Sequence, residues 1–210
     1  MNEAPVLDRA QRAEAAKKMR REEILAAARR VFAERGFRGT TIADIAEEAG
    51  IALGTIYLYF PSKEAVFGAL SRRFGEIIVE AAQKVPASPT LEEDVRLRIA
   101  RVFDACRENR DLVQLVVMNS DPESEVARRM RQAEEERNRP FVAGIAAAMR
   151  RGAIRAGDPA VMARLVSGVV SIAVYQAFVI SGGENADAFR DACADMVVAY
   201  MTPPGRGEQG

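Results

Sequence analysis

Histidine is absent from the 210 residues, and the two cysteines, Cys106 and Cys193, stand far apart in no metal-binding spacing. Without them the usual zinc ligand sets cannot be assembled, nor can the imidazole dyads that activate a serine or cysteine nucleophile. No other nucleophile–base pair takes their place, so the chain reads as a protein that is not an enzyme and uses no metal and no cofactor. The cysteines read as buried structural thiols in a reducing compartment, with a redox switch as the alternative. The N-terminal residues lack the apolar core of a signal peptide, and alternating strand-like runs are missing. Net charge is zero, thirty basic against thirty acidic residues, so the whole-chain balance points to no polyanionic partner.

The distribution of charge is more informative. Residues 1–75 hold 13 basic and 10 acidic side chains, and the remainder holds 17 and 20. Between Arg9 and Arg21, six basic residues (Arg9, Arg12, Lys17, Lys18, Arg20 and Arg21) accompany Glu14 alone. Such a run is either a solvated tail or a nucleic-acid-binding arm. A second run, Leu165 to Gly183, carries no charge at all. It approaches membrane-spanning length, but Ser167, Gly168, Ser171, Gln176 and Ser181 interrupt it, and a helix buried by protein is expected.

Apolar residues recur at helical spacing along almost the whole chain, which predicts an all-α fold. The first helix carries a stripe of Ile24, Ala27, Ala28, Val31 and Phe32 and ends at Gly36. The second starts after Thr40 or Thr41, with Asp44 placed for a capping box, and carries Ile42, Ile45, Ala46 and Ala49 up to Gly50. The third spans about residues 52–59, and Ser62 then caps a fourth that carries Phe67, Leu70, Phe74, Ile77 and Ile78. Further helices are expected near 91–108, 111–119, 123–151, 160–181 and 184–201, with Pro140 kinking or dividing the seventh.

Residues 41–59 meet the demands of a helix-turn-helix. Two helices crossing steeply need a small residue at their contact, a residue tolerant of positive φ at the turn, and an apolar anchor on the second helix. Ala46, Gly50 and Ile56 fill those places. The surrounding run Thr40-Thr41-Ile42-Ala43-Asp44-Ile45-Ala46-Glu47-Glu48-Ala49-Gly50-Ile51, followed by Gly54-Thr55-Ile56-Tyr57-Leu58-Tyr59-Phe60 and Ser62-Lys63-Glu64, resembles the DNA-binding domain of the TetR family. The segment ending Val31-Phe32-Ala33-Glu34-Arg35-Gly36-Phe37 resembles that family's first helix. Asp158-Pro159, opening an apolar helix, is similar to its C-terminal half. The resemblance is specific over about residues 21–67 and architectural beyond.

It implies an N-terminal three-helix DNA-binding domain followed by a helical ligand-binding and dimerisation domain. The divisions expected are a basic arm at 1–19, the helix-turn-helix domain at 20–66, the second domain at 67–202 and a disordered tail at 203–210. By position in the family, the third helix enters the major groove. Thr40 and Thr41 sit at a helix N-terminus facing a phosphate, and Tyr57 and Lys63 clamp the DNA backbone. Tyr59 either joins them or serves the core. The family commonly places a hydroxyl residue and a lysine before the glycine, where this chain has Ala52 and Leu53. Neither forms a side-chain hydrogen bond to a base. Both suit thymine methyl groups, Thr55 suits either kind of contact, and Ala52 alternatively just permits close approach. Sparse polar readout gives weight to Arg9, Arg12, Lys17 and Lys18, which either enter an A·T-rich minor groove or tether phosphates.

In the second domain the resemblance implies a cavity. Phe74, Phe103, Leu115, Met118, Phe141 and Ile145 are its candidate lining, suited to a small hydrophobic effector such as a fatty acyl compound or an apolar drug. Arg98, Arg101, Asn119 and Arg137 are candidates to meet an acidic group on it. Val169, Ile172, Phe189, Met196, Val197 and Tyr200 are the candidate interface of a homodimer built as a four-helix bundle, which suits a palindromic double-stranded DNA operator. A cytoplasmic, nucleoid-associated repressor without a membrane partner is the expectation; activation depends on where the operator lies. The competing reading is a helical lipid or small-molecule carrier that binds no specific DNA.

Overall fold

The computed structural model describes residues 8–85, 88–119 and 125–204, and for residues 125–135 and 137 the backbone alone. The described residues contain helices and no strand, and they fall into two compact units, Met1–Leu70 and Ser71–Gly210.

The first unit opens with α1 (Arg9–Gly39). Asp8 starts it through a capping box: its carboxylate accepts from the Gln11 N–H at 2.8 Å, and the Gln11 side chain accepts from the Asp8 N–H at 2.9 Å. Gly36 kinks this helix instead of ending it. Its φ of 70° lies in the left-handed region, and one further turn follows to Gly39. Next come α2 (Ile42–Glu48) and α3 (Leu53–Ile56), then α4 (Lys63–Gln83), which carries the chain into the second unit. Regular helix in α3 is shorter than expected. The coil continues as turns, with the N–H groups of Leu58 and Tyr59 donating to Thr55 and Ile56 carbonyls, until Pro61 forces Phe60 out of helical geometry. Ile24, Ala27, Val31 and Phe32 of α1 form the core with Ile45, Ala46, Ile56, Phe60 and Val66. The Phe37 ring lies 5.6 Å from Phe32 and 5.0 Å from Phe67.

The second unit contains α5 (Leu91–Glu108), α6 (Arg110–Met118), α7 (Glu125–Arg150), α8 (Pro159–Tyr175) and α9 (Ala186–Met201). Pro140 does not divide α7, which is one helix across it. Asp158 caps α8, accepting from the Ala160 and Val161 N–H groups at 2.8 and 3.2 Å, with Pro159 in the first turn where no donor is needed. Arg155 closes α9: its N–H donates to the Met201 carbonyl at 2.8 Å and its guanidinium to the Tyr200 carbonyl at 3.2 Å. The core joins Ile99, Phe103 and Cys106 of α5 to Met162 and Val166 of α8 and Cys193 and Val197 of α9. Phe103 packs 5.8 Å from Phe178.

The charge-free run departs from expectation in two ways. Its last residues, Gln176–Ile180, form a π-helical turn. The stretch Pro159–Ile180 is also largely uncovered within this one chain. It is long and apolar enough to cross a membrane by composition, yet only 28% of its most apolar window is buried.

Both thiols are buried, and burial pushes Cys106 up to about 12 and Cys193 up to about 11. Neither should react with a thiol reagent in the native protein at neutral pH. Above about pH 9 the unfolded chain ionises both thiols while the folded chain does not. Stability is therefore complete below that pH and falls by about 1.4 kcal/mol per thiol per pH unit above it. Urea titrations from pH 8 to 10 on the wild type and on Cys106→Val should show a shallower decline in the variant; parallel declines refute the assignment.

Candidate nucleic-acid interface

The turn between α2 and α3 is fixed at both ends. At the start, Thr41 caps α2. Its N–H and hydroxyl donate to the Asp44 carboxylate, both at 2.7 Å, and its oxygen accepts from the Asp44 N–H at 3.2 Å. These bonds, together with Arg35 at 2.8 Å, hold the Asp44 carboxyl below its ordinary value. At the end of α2, the Ile51 N–H donates to the Ala46 carbonyl and the Gly50 N–H to the Glu47 carbonyl, each at 3.0 Å. That is the Schellman arrangement, and it requires the φ of 64° that Gly50 supplies. Ala46, Ile45 and Ile56 are buried beneath the turn. The spacing of Ala46, Gly50 and Ile56 thus produces the expected small contact, left-handed turn and anchor.

The outward side of α3 and of the turn that follows it is largely apolar. Leu53 is 46% exposed, Tyr57 49% and Leu58 78%, with Ala52 and Gly54 also exposed and Thr55 and Tyr59 half-buried. Leu58 was missed by sequence reasoning; a leucine between two tyrosines reads as core until the helix phase is known. Three other assignments change. Thr40 is 1% exposed, and its hydroxyl donates to the Gly36 carbonyl at 2.7 Å, so its side chain serves the α1 kink and cannot face a phosphate. The Thr41 N–H and hydroxyl are engaged by Asp44. Lys63 is half-buried and donates to the Phe37 and Thr40 carbonyls at 2.9 and 2.7 Å, its ammonium 4.6 Å from the Phe37 ring centre. It first neutralises the carbonyl end of α1.

The basic run is helical. Arg9, Arg12, Lys17 and Lys18 lie on the first turns of α1, where every residue from Arg9 to Arg20 is exposed. A helix about 10–12 Å across does not enter a minor groove about 6 Å wide. Minor-groove insertion therefore does not fit residues 9–20 in this conformation, and phosphate tethering does; residues 1–7 lie outside the described ones. Arg21, at the root of this projection, stacks 4.7 Å over Phe60, which fixes the projection beside the end of α3.

In the second unit, Phe103, Leu115 and Ile145 are buried and Phe74 and Phe141 half-buried, but Met118 is 71% exposed at the end of α6 and lines no enclosed space. A concavity of about 590 Å³ is lined instead by Thr90, Glu92, Glu93, Arg96, Arg190 and Asp191 among others, and includes none of those six residues. Four of these charged side chains are in ion pairs: Arg96 with Glu92 and also Asp195, and Arg190 with Asp191 and also Asp187. Arg98 is occupied by Asp94 at 2.7 and 2.9 Å and by the Ala82 carbonyl at 2.7 Å, and the Asn119 amide donates to the Leu115 carbonyl. The Arg137 side chain lies outside the described residues. Of the candidate interface residues, Ile172 is 56% exposed and Met196 60%, while Val169, Phe189 and Tyr200 are half-buried. Val197 is buried in the subunit's own core and leaves that set.

Residues 24–70 match the family model described as bacterial regulatory proteins, tetR family. The chain is 33% identical over 115 residues to the uncharacterized HTH-type transcriptional regulator YerO of Bacillus subtilis (strain 168), covering 50% of this chain and 38% of that protein. It is 42% identical over 69 residues to the HTH-type transcriptional repressor KstR2 of Rhodococcus jostii (strain RHA1), covering 33% and 34%. The matched segments thus span little more than a third of these relatives' length. A solved structure of FadR from Bacillus subtilis, in complex with stearoyl-CoA, superposes with a TM-score of 0.69 at 22% identity, over 86% of this chain and 98% of that one, a likeness of fold.

The role of Lys63 is open to measurement without DNA. Lys63→Met should lower the stability of the free protein by about 1.5–3 kcal/mol, because two carbonyls lose a charged donor. A lysine that only awaited phosphate would leave the unfolding curve unchanged.

Proposed function

We propose that this chain, whose residues 24–70 match the family of bacterial regulatory proteins named for tetR, is a sequence-specific DNA-binding transcriptional regulator, a homodimeric repressor released by a small hydrophobic effector. The observation that carries this reading is α3. Ile56 anchors it to a buried turn, while Leu53 and, in the turn that follows, Tyr57 and Leu58 stand outward and exposed. A scaffold that rigidly presents one side of a helix is what insertion into a major groove requires. Selection of fragments from genomic DNA should enrich a two-fold symmetric site whose half-sites lie about 34 Å apart. Failure to enrich any fragment overturns the reading.

The dimer rests on α8 and α9. Val161, Leu165 and Ile172 share one side of α8 and are exposed, as is Met196 on α9. A row of large apolar side chains in water is a surface awaiting a partner, and a second copy matches the symmetry of an operator. The effector proposal draws on the acyl thioester held by FadR, whose fold this chain shares. A greasy ligand would enter the packed region of Phe103, Leu115, Phe141 and Ile145 rather than the charge-paired concavity. Release requires a ligand that binds the two states of the dimer unequally, so operator DNA must weaken the ligand by the same factor. Cytoplasmic location and association with the nucleoid follow from the DNA partner.

Two measurements test these parts separately. Ile172→Arg should give a monomer in sedimentation and lose tight operator binding; a persistent dimer would refute the interface. Deleting residues 1–18 removes Arg9, Arg12, Lys17 and Lys18 and should flatten the dependence of log affinity on log salt by roughly 0.9 for each phosphate no longer neutralised. Equal slopes would make the projection a solvated tail.

A further inference from the structure

Gln176–Ile180 is the only π-helical element among the described residues, and it contains no proline or glycine that would force it out of α geometry. Such turns are rare and are frequently found at functional sites. The effect of this one falls on Phe178. In an uninterrupted α-helix residue 178 lies nearly over residue 171, two turns earlier, and Ser171 is exposed. The bond from the Ser181 N–H to the Gln176 carbonyl, at 2.9 Å, takes an additional residue into the turn. The Phe178 ring is thereby brought inward to 1% exposure, 5.8 Å from the Phe103 ring. The chain just beyond is built to absorb a change of register. There the Gly183 N–H donates to the Ala177 carbonyl at 2.7 Å, and Gly182 and Gly183 hold positive φ, 60° and 91°. Glycine crosses between backbone regions at little steric cost, so one residue can pass from the turn into this linker without breaking either flanking helix.

We propose that this π turn is a register switch and that Phe178 is the plug of a latent apolar binding site. In the π register the ring fills the space beside Phe103. When the segment relaxes to α geometry, Phe178 swings toward the side of Ser171 and leaves a ring-sized cavity with Phe103 in its wall. The inference rests on the effector reading above and deepens it. The ligand selected is a flat apolar ring compound, because it replaces a phenyl ring against an aromatic neighbour. The same relaxation rotates Ile180, at the end of the turn, relative to Ile172 before it; both are exposed. The surface proposed for a second copy therefore differs between the plugged and the open states, which gives a ligand that binds only the open state a means of shifting the dimer.

The experiment uses the full chain with toluene as the probe, and follows amide hydrogen exchange by NMR. A ligand that merely stabilises the fold slows exchange throughout. The switch instead breaks the bonds donated by the Ser181 and Gly183 N–H groups, so these two amides should exchange roughly fivefold faster at saturating toluene, while those of residues 160–174 slow. Phe178→Leu removes much of the plug and should bind toluene about tenfold more tightly, since the open state no longer has to be selected. Phe103→Leu, an equal trim of the wall, should bring no such gain. Slowed or unchanged exchange at Ser181 and Gly183, or equal tightening in the two variants, overturns the switch and leaves the effector reading standing. Toluene bound by neither the wild type nor Phe178→Leu also overturns the switch. If dodecanoate then binds neither protein, the hydrophobic-effector reading falls with it.

Discussion

Two backbone carbonyls, of Phe37 and Thr40, converge on the ammonium of Lys63 over the face of the Phe37 ring. A helix end leaves carbonyl groups unpaired, and the kink at Gly36 turns those of the last stretch of α1 toward one point. Lys63 is the first residue of α4, and Thr40 directly precedes the Thr41 cap of α2. One cation thus ties the end of α1, the entry to α2 and the start of α4. The buried contact of Ala46 and Ile56 then places α3 relative to that junction. The orientation of the outward side chains depends on this chain of constraints, each short and each polar where the backbone would otherwise lack a partner.

The apolar surfaces left over are as informative as the core. Burying Leu53 or Leu58 within the subunit would stabilise it, and the chain buries neither. Local choices that oppose stability tend to mark function, since a folded protein gains nothing else from them. The same logic applies to α8, whose outward row of valine, leucine and isoleucine is uncovered within one subunit. The two surfaces differ in their neighbourhood. Arg21 stacks on Phe60, just after α3, whereas α8 leads directly into the apolar π turn at Gln176–Ile180. Charge distinguishes the two apolar surfaces proposed above for DNA and for a second copy.

Much of this was legible in the residues alone. The helical repeat of Ile24, Ala27, Ala28, Val31 and Phe32 required an amphipathic helix, and the order Ala46, Gly50, Ile56 required a small contact, a left-handed turn and an anchor. These are local rules, satisfied within a few residues of chain. The Asp158 cap and its following proline were readable for the same reason. Partnerships across long separations were not. Nothing in the neighbours of Lys63 announced two carbonyl partners more than twenty residues upstream. Thr40 looked like a surface hydroxyl until Gly36 turned its carbonyl toward it. Val197, expected at an interface, is buried in the core and Met118, expected to line a cavity, is exposed, because helical periodicity defines a side of a helix but not what lies against it. Sequence determined the helices and the turn, since each follows from residue type and short-range sterics. Only the tertiary structure decided which cations are already engaged and which apolar side chains face water, because both depend on what packing brings together from distant parts of the chain.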